Sequence, residues 1–131
     1  MTQLLDDLRA LDALFSDESK WTKGVYARDA SGKPANPRGA GAVCWCLYGA
    51  RIVVTCGDTG RDKALSGPLN GALPQGVLVG YADWQDDPCR QFSEIKSLIA
   101  RAIATEEGRV TDAILETFDP DFADSFERGQ A

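Results

Sequence analysis

Histidine is absent from the sequence, and this absence excludes several kinds of active site. Histidine is the commonest general base and the usual partner that activates serine and cysteine nucleophiles. It is also a frequent zinc ligand. Enzymes built on Ser-His-Asp or Cys-His pairs, and zinc sites with an imidazole ligand, are therefore excluded.

The sequence also lacks a long apolar run and an excess of basic residues. No segment approaches the roughly 20 apolar residues that span a membrane. Asp6 and Asp7 stand where a secretory signal would carry bases, so we expect a cytoplasmic protein. The formal net charge of −6 argues against direct binding to nucleic acid, because phosphate contacts need a basic patch.

Cysteines are few, and their spacing is poor for a metal site. Four thiolates can close a zinc site, but the C-x₂-C knuckles typical of such sites are missing. Cys46 as a nucleophile would need Arg28, Arg51 or a helix N-terminus to lower its pKa. We therefore predict no metal and no cofactor, and we favour reduced, inert thiols over disulfides. The four residues are Cys44, Cys46, Cys56 and Cys89.

The length and the distribution of charge indicate one domain with an acidic extension. A chain of 131 residues fits a single domain that buries roughly two thirds of its surface on folding. Residues 112–131 hold six acids and one base, and so carry most of the net charge. We divide the chain into a small globular domain, residues 1–108, and an acidic, aromatic C-terminal extension, residues 109–131.

The first third of the chain predicts a helix followed by a strand and a turn. Thr2 is a plausible N-cap, and β-branched and aromatic residues over 20–29 favour a strand. The Ser-Gly-Lys sequence that follows predicts a turn, which gives a β-hairpin-like element near residues 20–34. The helix covers residues 3–15, whose apolar face consists of Leu4, Leu5, Leu8, Leu11, Leu14 and Phe15.

The middle of the chain is ambiguous, because short apolar runs do not determine their own period. We favour a buried helix that starts at Ala40 and extends to about Cys56, with a strand over residues 51–56 as the alternative. Residues 57–80 are rich in glycine and proline. There we predict only a short helix near residues 61–65 and an extended segment at 77–79.

The last third predicts one long helix with an apolar stripe. It starts at Asp87-Pro88 or at Ser93, and Glu107-Gly108 ends it. Further turns of helix follow, and Asp119-Pro120 predicts the cap of a last short helix. Together these elements predict an α+β fold, namely a mostly helical single domain with a small β-hairpin-like element.

The tryptophans lie in a spaced pattern of small, acidic and aromatic residues, and we expect Trp21, Trp45 and Trp84 to converge on one core. The pattern reads Trp21…Ala27-Arg-Asp29…Trp45-Cys-Leu-x-Gly-Ala50, with Trp84…Asp86 further on. It resembles a family of small, mostly helical bacterial and phage proteins of unknown function over about residues 5–104. The resemblance implies the fold class and a phage or prophage setting, and it implies no mechanism.

Polar residues near the tryptophans define a candidate ligand cleft formed by Arg28, Asp29, Trp45, Trp84 and Asp86. An arginine stacked on a tryptophan could bind a planar or anionic ligand by a cation–π contact. We favour the alternative that Arg28 and Asp29 pair and hold the turn after the strand. Clustered aspartates here could also bind Mg²⁺ or Ca²⁺, although we favour Asp87 as a helix cap and its neighbours as solvated groups.

The end of the chain carries a second candidate site, which would bind a protein. Its phenylalanines recur every four residues among acids, giving an apolar stripe if the segment is helical. Such a segment could dock into a partner or fold back onto its own domain. The residues are Phe118, Asp119, Asp121, Phe122, Asp124 and Phe126.

These patterns lead to a function through protein contacts rather than catalysis. We expect a non-enzymatic accessory or interaction protein of phage or prophage type with a host or phage protein as its partner. One alternative is an inhibitor of a host nucleic-acid-binding defence protein, acting through the acidic tail. Another is a small enzyme or ligand-binding module with a cleft around Arg28, Asp29 and Trp84.

Overall fold

The computed structural model describes residues 2–117, and side chains over residues 2–112. Within this part of the chain it has five α-helices, one 3₁₀ turn and a two-stranded antiparallel sheet, which confirms the mostly helical α+β fold. The predicted last helix and the phenylalanine stripe lie outside the described residues. The helices are α1 (Gln3–Leu14), α2 (Leu47–Val54), α3 (Thr59–Gly71), α4 (Tyr81–Gln85) and α5 (Phe92–Thr117); the strands are β1 (Ala27–Asp29) and β2 (Ala42–Trp45); the 3₁₀ turn is Glu18–Lys20.

Helix α1 follows the prediction because its cap and its apolar stripe agree. The Thr2 hydroxyl accepts a hydrogen bond from the Leu5 amide, which satisfies one of the free N–H groups at the helix start. Leu5, Leu8 and Leu11 are buried, and Phe15 is buried just after the last turn. This face packs against α3 and α5.

The core lies where α1, α3 and α5 meet. Helix α5 contributes a stripe of four residues without solvent exposure, Ile95, Leu98, Ile99 and Ala102. All three tryptophans pack against this core, as the sequence predicts: Trp84 is 5% exposed, and Trp21 and Trp45 are half-buried. None of the described helices is long and apolar enough to cross a membrane.

The sheet and α2 correct three predictions. Strand β1 lies within the expected region but spans three residues rather than 20–29, and it pairs with β2 in the register Ala27↔Trp45. The helix predicted from Ala40 to Cys56 is wrong in its first half, since Ala42–Trp45 is a strand. The alternative strand over 51–56 is also wrong, because α2 covers Leu47–Val54. The break falls at Cys46, an extended N-cap.

The segment rich in glycine and proline is more helical than predicted. The Asp58 carboxylate caps α3 by accepting a hydrogen bond from the Arg61 amide, and the helix runs 13 residues rather than the short stretch 61–65. Burial of Leu65 and Leu69 stabilises it despite a proline in its interior. Residues 77–79 form no strand, and helix α4, which the sequence analysis missed, follows them.

Helix α5 begins at Phe92, one residue before the alternative start at Ser93, so the start at Asp87-Pro88 is wrong. Asp87 instead accepts a hydrogen bond from the Cys89 amide in a turn before the helix. The predicted end at Gly108 is also wrong, since α5 continues to Thr117. A helical glycine costs about 1 kcal/mol relative to alanine, which is too little by itself to end a helix whose preceding turns pack on the core. The proposed domain boundary at residue 108 therefore falls inside α5.

Candidate functional site

Arg28 lies on β1 and fastens the turn that follows it. Its guanidinium donates from Nε to the Thr22 hydroxyl at 2.8 Å, and from the two Nη atoms to the carbonyls of Gly32 and Lys23 at 3.0 and 3.1 Å. Each of the three guanidinium nitrogens thus donates a hydrogen bond to one acceptor. The guanidinium is held by Thr22, Lys23 and Gly32 rather than stacked on a tryptophan.

Asp29 closes the same turn through its Oδ1 atom. It accepts hydrogen bonds from the Ser31 hydroxyl at 2.6 Å, the Ser31 amide at 2.9 Å and the Lys33 amide at 3.0 Å. These bonds, the one from the hydroxyl first, lower the pKa of Asp29 below its usual value. Arg28 and Asp29 therefore each hold the turn through their own hydrogen bonds.

Trp84 and Asp86 lie on the far side of the loop that Arg28 supports. The Asp86 carboxylate accepts the Gly24 amide at 3.0 Å. The ammonium of Lys23 donates to the carbonyls of Asp87 and Arg90 at 2.7 and 2.8 Å. The structure thus brings the predicted cleft residues into one region. Hydrogen bonds made by residues 22–24 join Arg28 to Asp86 and hold this loop against the turn before α5.

Cations do lie over two of the tryptophan rings in this region. The Arg90 guanidinium lies 4.0 Å from the ring centre of Trp84, and the Lys23 ammonium lies 5.1 Å from that of Trp21. Arg90 also donates to the Glu94 carboxylate at 2.6 Å. The sequence analysis missed both cations. Arg90 is six residues from Trp84 in the sequence and belongs to no recognised motif.

Gln85 is a buried polar residue that the sequence analysis also missed. It is 1% exposed, and its Oε1 accepts the indole N–H of Trp21 at 2.7 Å and the backbone N–H of Leu47 at 3.2 Å. Its Nε2 donates to the Asp86 carboxylate. One side chain therefore joins the loop after the 3₁₀ turn, the start of α2 and the end of α4.

The Trp-Cys-Leu-x-Gly-Ala motif has a structural explanation. Trp45 donates its indole N–H to the Pro37 carbonyl, and the Cys46 sulfur accepts the Gly49 amide as the helix cap. A Cβ on Gly49 would lie 1.9 Å from the Tyr26 carbonyl oxygen, so only glycine permits this contact. Burial raises the pKa of the Cys46 thiol, which disfavours the reactive thiolate.

Two arginines form ion pairs inside the fold. Arg51 is buried and donates to Asp62 at 2.8 Å, while Arg61 makes two bonds to the buried Asp7 carboxylate, at 2.6 and 3.1 Å. Both pairs hold α3 against α1 and α2. Within residues 2–112, no group of three or more cysteines and acids is arranged to hold a metal ion.

An open groove lies on another side of the molecule, where α1, α3 and α5 meet. Its volume is about 420 Å³, within the range of typical ligand pockets. Most of its lining is apolar or glycine, and one charged pair, Glu106 and Arg109, stands at its edge. We name it the α3–α5 groove; its lining residues are Leu4, Ala64, Gly67, Pro68, Gly71, Thr105, Glu106 and Arg109.

The glycines of the α3–α5 groove are not required by packing among the described residues. A Cβ on Gly67 or on Gly71 would meet no neighbouring atom of that part of the chain within 4 Å. Pro68 has no N–H and cannot donate to the Ala64 carbonyl. Helix α3 therefore carries three poor helix formers along its exposed side, each at a cost in stability.

Comparison with known proteins places the chain in a family. Neither a curated protein nor a solved structure matches it. A family model described as "Family of unknown function (DUF6197)" matches residues 1–105, which include every described strand and most of α5. The chain therefore belongs to DUF6197, a family of unknown function.

Proposed function

We propose that this chain is a non-enzymatic accessory protein that acts by binding a segment of another protein in its α3–α5 groove. The observation that supports this most is the groove itself, a surface concavity of about 420 Å³ with a mainly apolar lining. Apolar side chains of a partner would leave water there, which is the main driving force of association.

The partner that fits best is an amphipathic helix. Ala64, Gly67 and Gly71 follow one another at helical spacing along the exposed side of α3. Small residues at this spacing let a second helix approach closely, with its larger side chains in the groove. Such an approach also gives a reason for glycines that packing among residues 2–112 does not require.

Arg109 supplies a polar contact at the edge of the groove. Its side chain is 69% exposed and donates to Glu106 at 2.9 Å, so it remains reachable from solvent. An acidic residue of the partner would bind the guanidinium and fix the register of the helix. Contacts of this kind contribute more to specificity and association rate than to affinity.

The geometry favours protein binding over a ligand cleft around Arg28, Asp29, Trp45, Trp84 and Asp86. The polar groups of Arg28, Asp29 and Asp86 are engaged in hydrogen bonds with the chain's own backbone and side chains. A ligand would have to displace them and open the loop. We therefore assign these residues to the stability of the site region.

The phage or prophage setting is part of the proposal and rests on the resemblance in the tryptophan pattern. The inhibitor of a nucleic-acid-binding defence protein stays an alternative, because it depends on acids beyond Thr117. In both cases the expected partner is a protein; the groove lies within the described residues, whereas the acids of the alternative lie beyond them.

A pair of leucine substitutions tests the proposal. Gly67→Leu fills the groove, and it is compatible with the fold because a Cβ at this position has free space and leucine favours helix. Gly41→Leu is the matched control, since it adds the same side chain at an open loop position. Capture from a lysate of the source organism should yield a protein that wild type and Gly41→Leu retain and Gly67→Leu loses. Equal retention by all three would rule out the groove.

A further inference from the structure

The sequence that follows α5 is long enough to reach the α3–α5 groove. The groove contacts α5 at Thr105–Arg109, and α5 ends at Thr117, eight residues further on. At 1.5 Å per residue this separation is about 12 Å. An extended chain covers about 12 Å in four residues, so a segment that turns back after Thr117 reaches the groove near Phe122.

The residues of this segment match the groove in size and character. Phe122 and Phe126 are four residues apart in the sequence, the spacing that a helix would bring to one side. Asp119-Pro120 precedes them and is typical of a turn. A mainly apolar groove of about 420 Å³ provides the space in which aromatic rings lose most of their contact with water.

The charges of the two parts also complement each other. Residues 118–131 hold four acids and one base. The exposed guanidinium of Arg109 stands at the edge of the groove, and Lys63 is exposed one residue before Ala64. An acidic segment that lies along α3 and α5 therefore meets opposite charge at both helices.

We propose that residues 118–131 occupy the α3–α5 groove of their own chain, with Phe122 and Phe126 as anchors, and that a partner helix must displace them. The regulatory part of this inference rests on the proposed function, because it concerns the same groove. A tethered segment has an effective concentration in the millimolar range when its linker is short. Partners must therefore compete with it, and the resting protein is autoinhibited.

A paramagnetic label on the full chain tests this placement. Ser125→Cys, in a background where Cys44, Cys56 and Cys89 are serine, carries a single nitroxide between the two phenylalanines. The amide NMR signals of Gly67, Gly71 and Thr105 should fall below half their intensity with the reduced label. Signals of the β1 turn, which packs elsewhere, serve as the internal reference. Adding Phe122→Ala and Phe126→Ala to the labelled chain should restore the groove signals.

Two results would overturn the inference. The first is full intensity at the groove in the labelled chain, or weakening that survives the phenylalanine changes. The second is weakening of the groove signals of ¹⁵N chains without nitroxide when they are mixed with nitroxide-labelled chains, at the same strength as within one chain. That result would assign the groove to a second copy. If the groove signals are not weakened while Gly67→Leu still abolishes partner capture, autoinhibition fails and the proposed function stands.

Discussion

Replacing Gln85 by methionine should destabilise the protein, because Gln85 joins the loop at Trp21 to the start of α2. Methionine has nearly the same shape, but it cannot accept the indole N–H of Trp21 or the backbone N–H of Leu47. A buried donor left without a partner costs about 1–3 kcal/mol. Since Trp21 is only half-buried and Leu47 is fully buried, we expect a total loss of about 2–4 kcal/mol in the free energy of unfolding.

Urea unfolding measured by tryptophan fluorescence gives this free energy, and the slope of the transition checks that the comparison stays two-state. Gln75→Met is the control, because Gln75 is exposed and its replacement should change stability by less than about 0.5 kcal/mol. The indole N–H signal of Trp21 should also move upfield in Gln85→Met. A free energy for Gln85→Met equal to that of the control would refute the role assigned to Gln85.

Three further outcomes follow from the described contacts. Gly49→Ala places a methyl group against the Tyr26 carbonyl and should cost at least about 1–3 kcal/mol in a thermal or urea melt; an unchanged melt would contradict that contact. Cys56 is exposed and should react with a thiol reagent in the native protein, while Cys46 should react only after unfolding; equal rates would contradict its raised pKa and burial. The pKa of Asp29 is lower in the folded protein than its unfolded value of 3.8, so its contribution to stability is present above pH 3.8 and is lost as pH falls through the folded pKa. Asp29→Ala should therefore destabilise the protein at pH 7 and approach wild-type stability in acid. A constant difference in stability across that pH range would refute the role assigned to Asp29.

Helix α1 was predictable because three local signals coincide. The Thr2 cap, the acid in the first turn and the leucine stripe all indicate the same helix. The boundary near Cys46 could not be predicted, since the strand before it and the helix after it are both short and apolar. Helix α3 was underestimated because its glycines and proline oppose helix locally, and burial of Leu65 and Leu69 overrides them.

The site region was only partly predictable for a related reason. The convergence of the three tryptophans on one core was predictable, since large aromatic residues are buried together. The hydrogen bond between Trp21 and Gln85 joins residues 64 positions apart, and no local pattern encodes it. The α3–α5 groove requires two helices to be placed side by side, so only the three-dimensional structure reveals it.

Site-specific photo-crosslinking in cells of the source organism tests groove binding most directly. A photoreactive amino acid replaces Ala64, which is exposed in the groove, or Lys33, which is exposed on the β1 turn. We predict an adduct with a second protein from position 64 alone, lost on addition of Gly67→Leu and kept with Gly41→Leu. Adducts of equal yield from both positions, or an adduct at 64 that Gly67→Leu leaves intact, would contradict the proposed function.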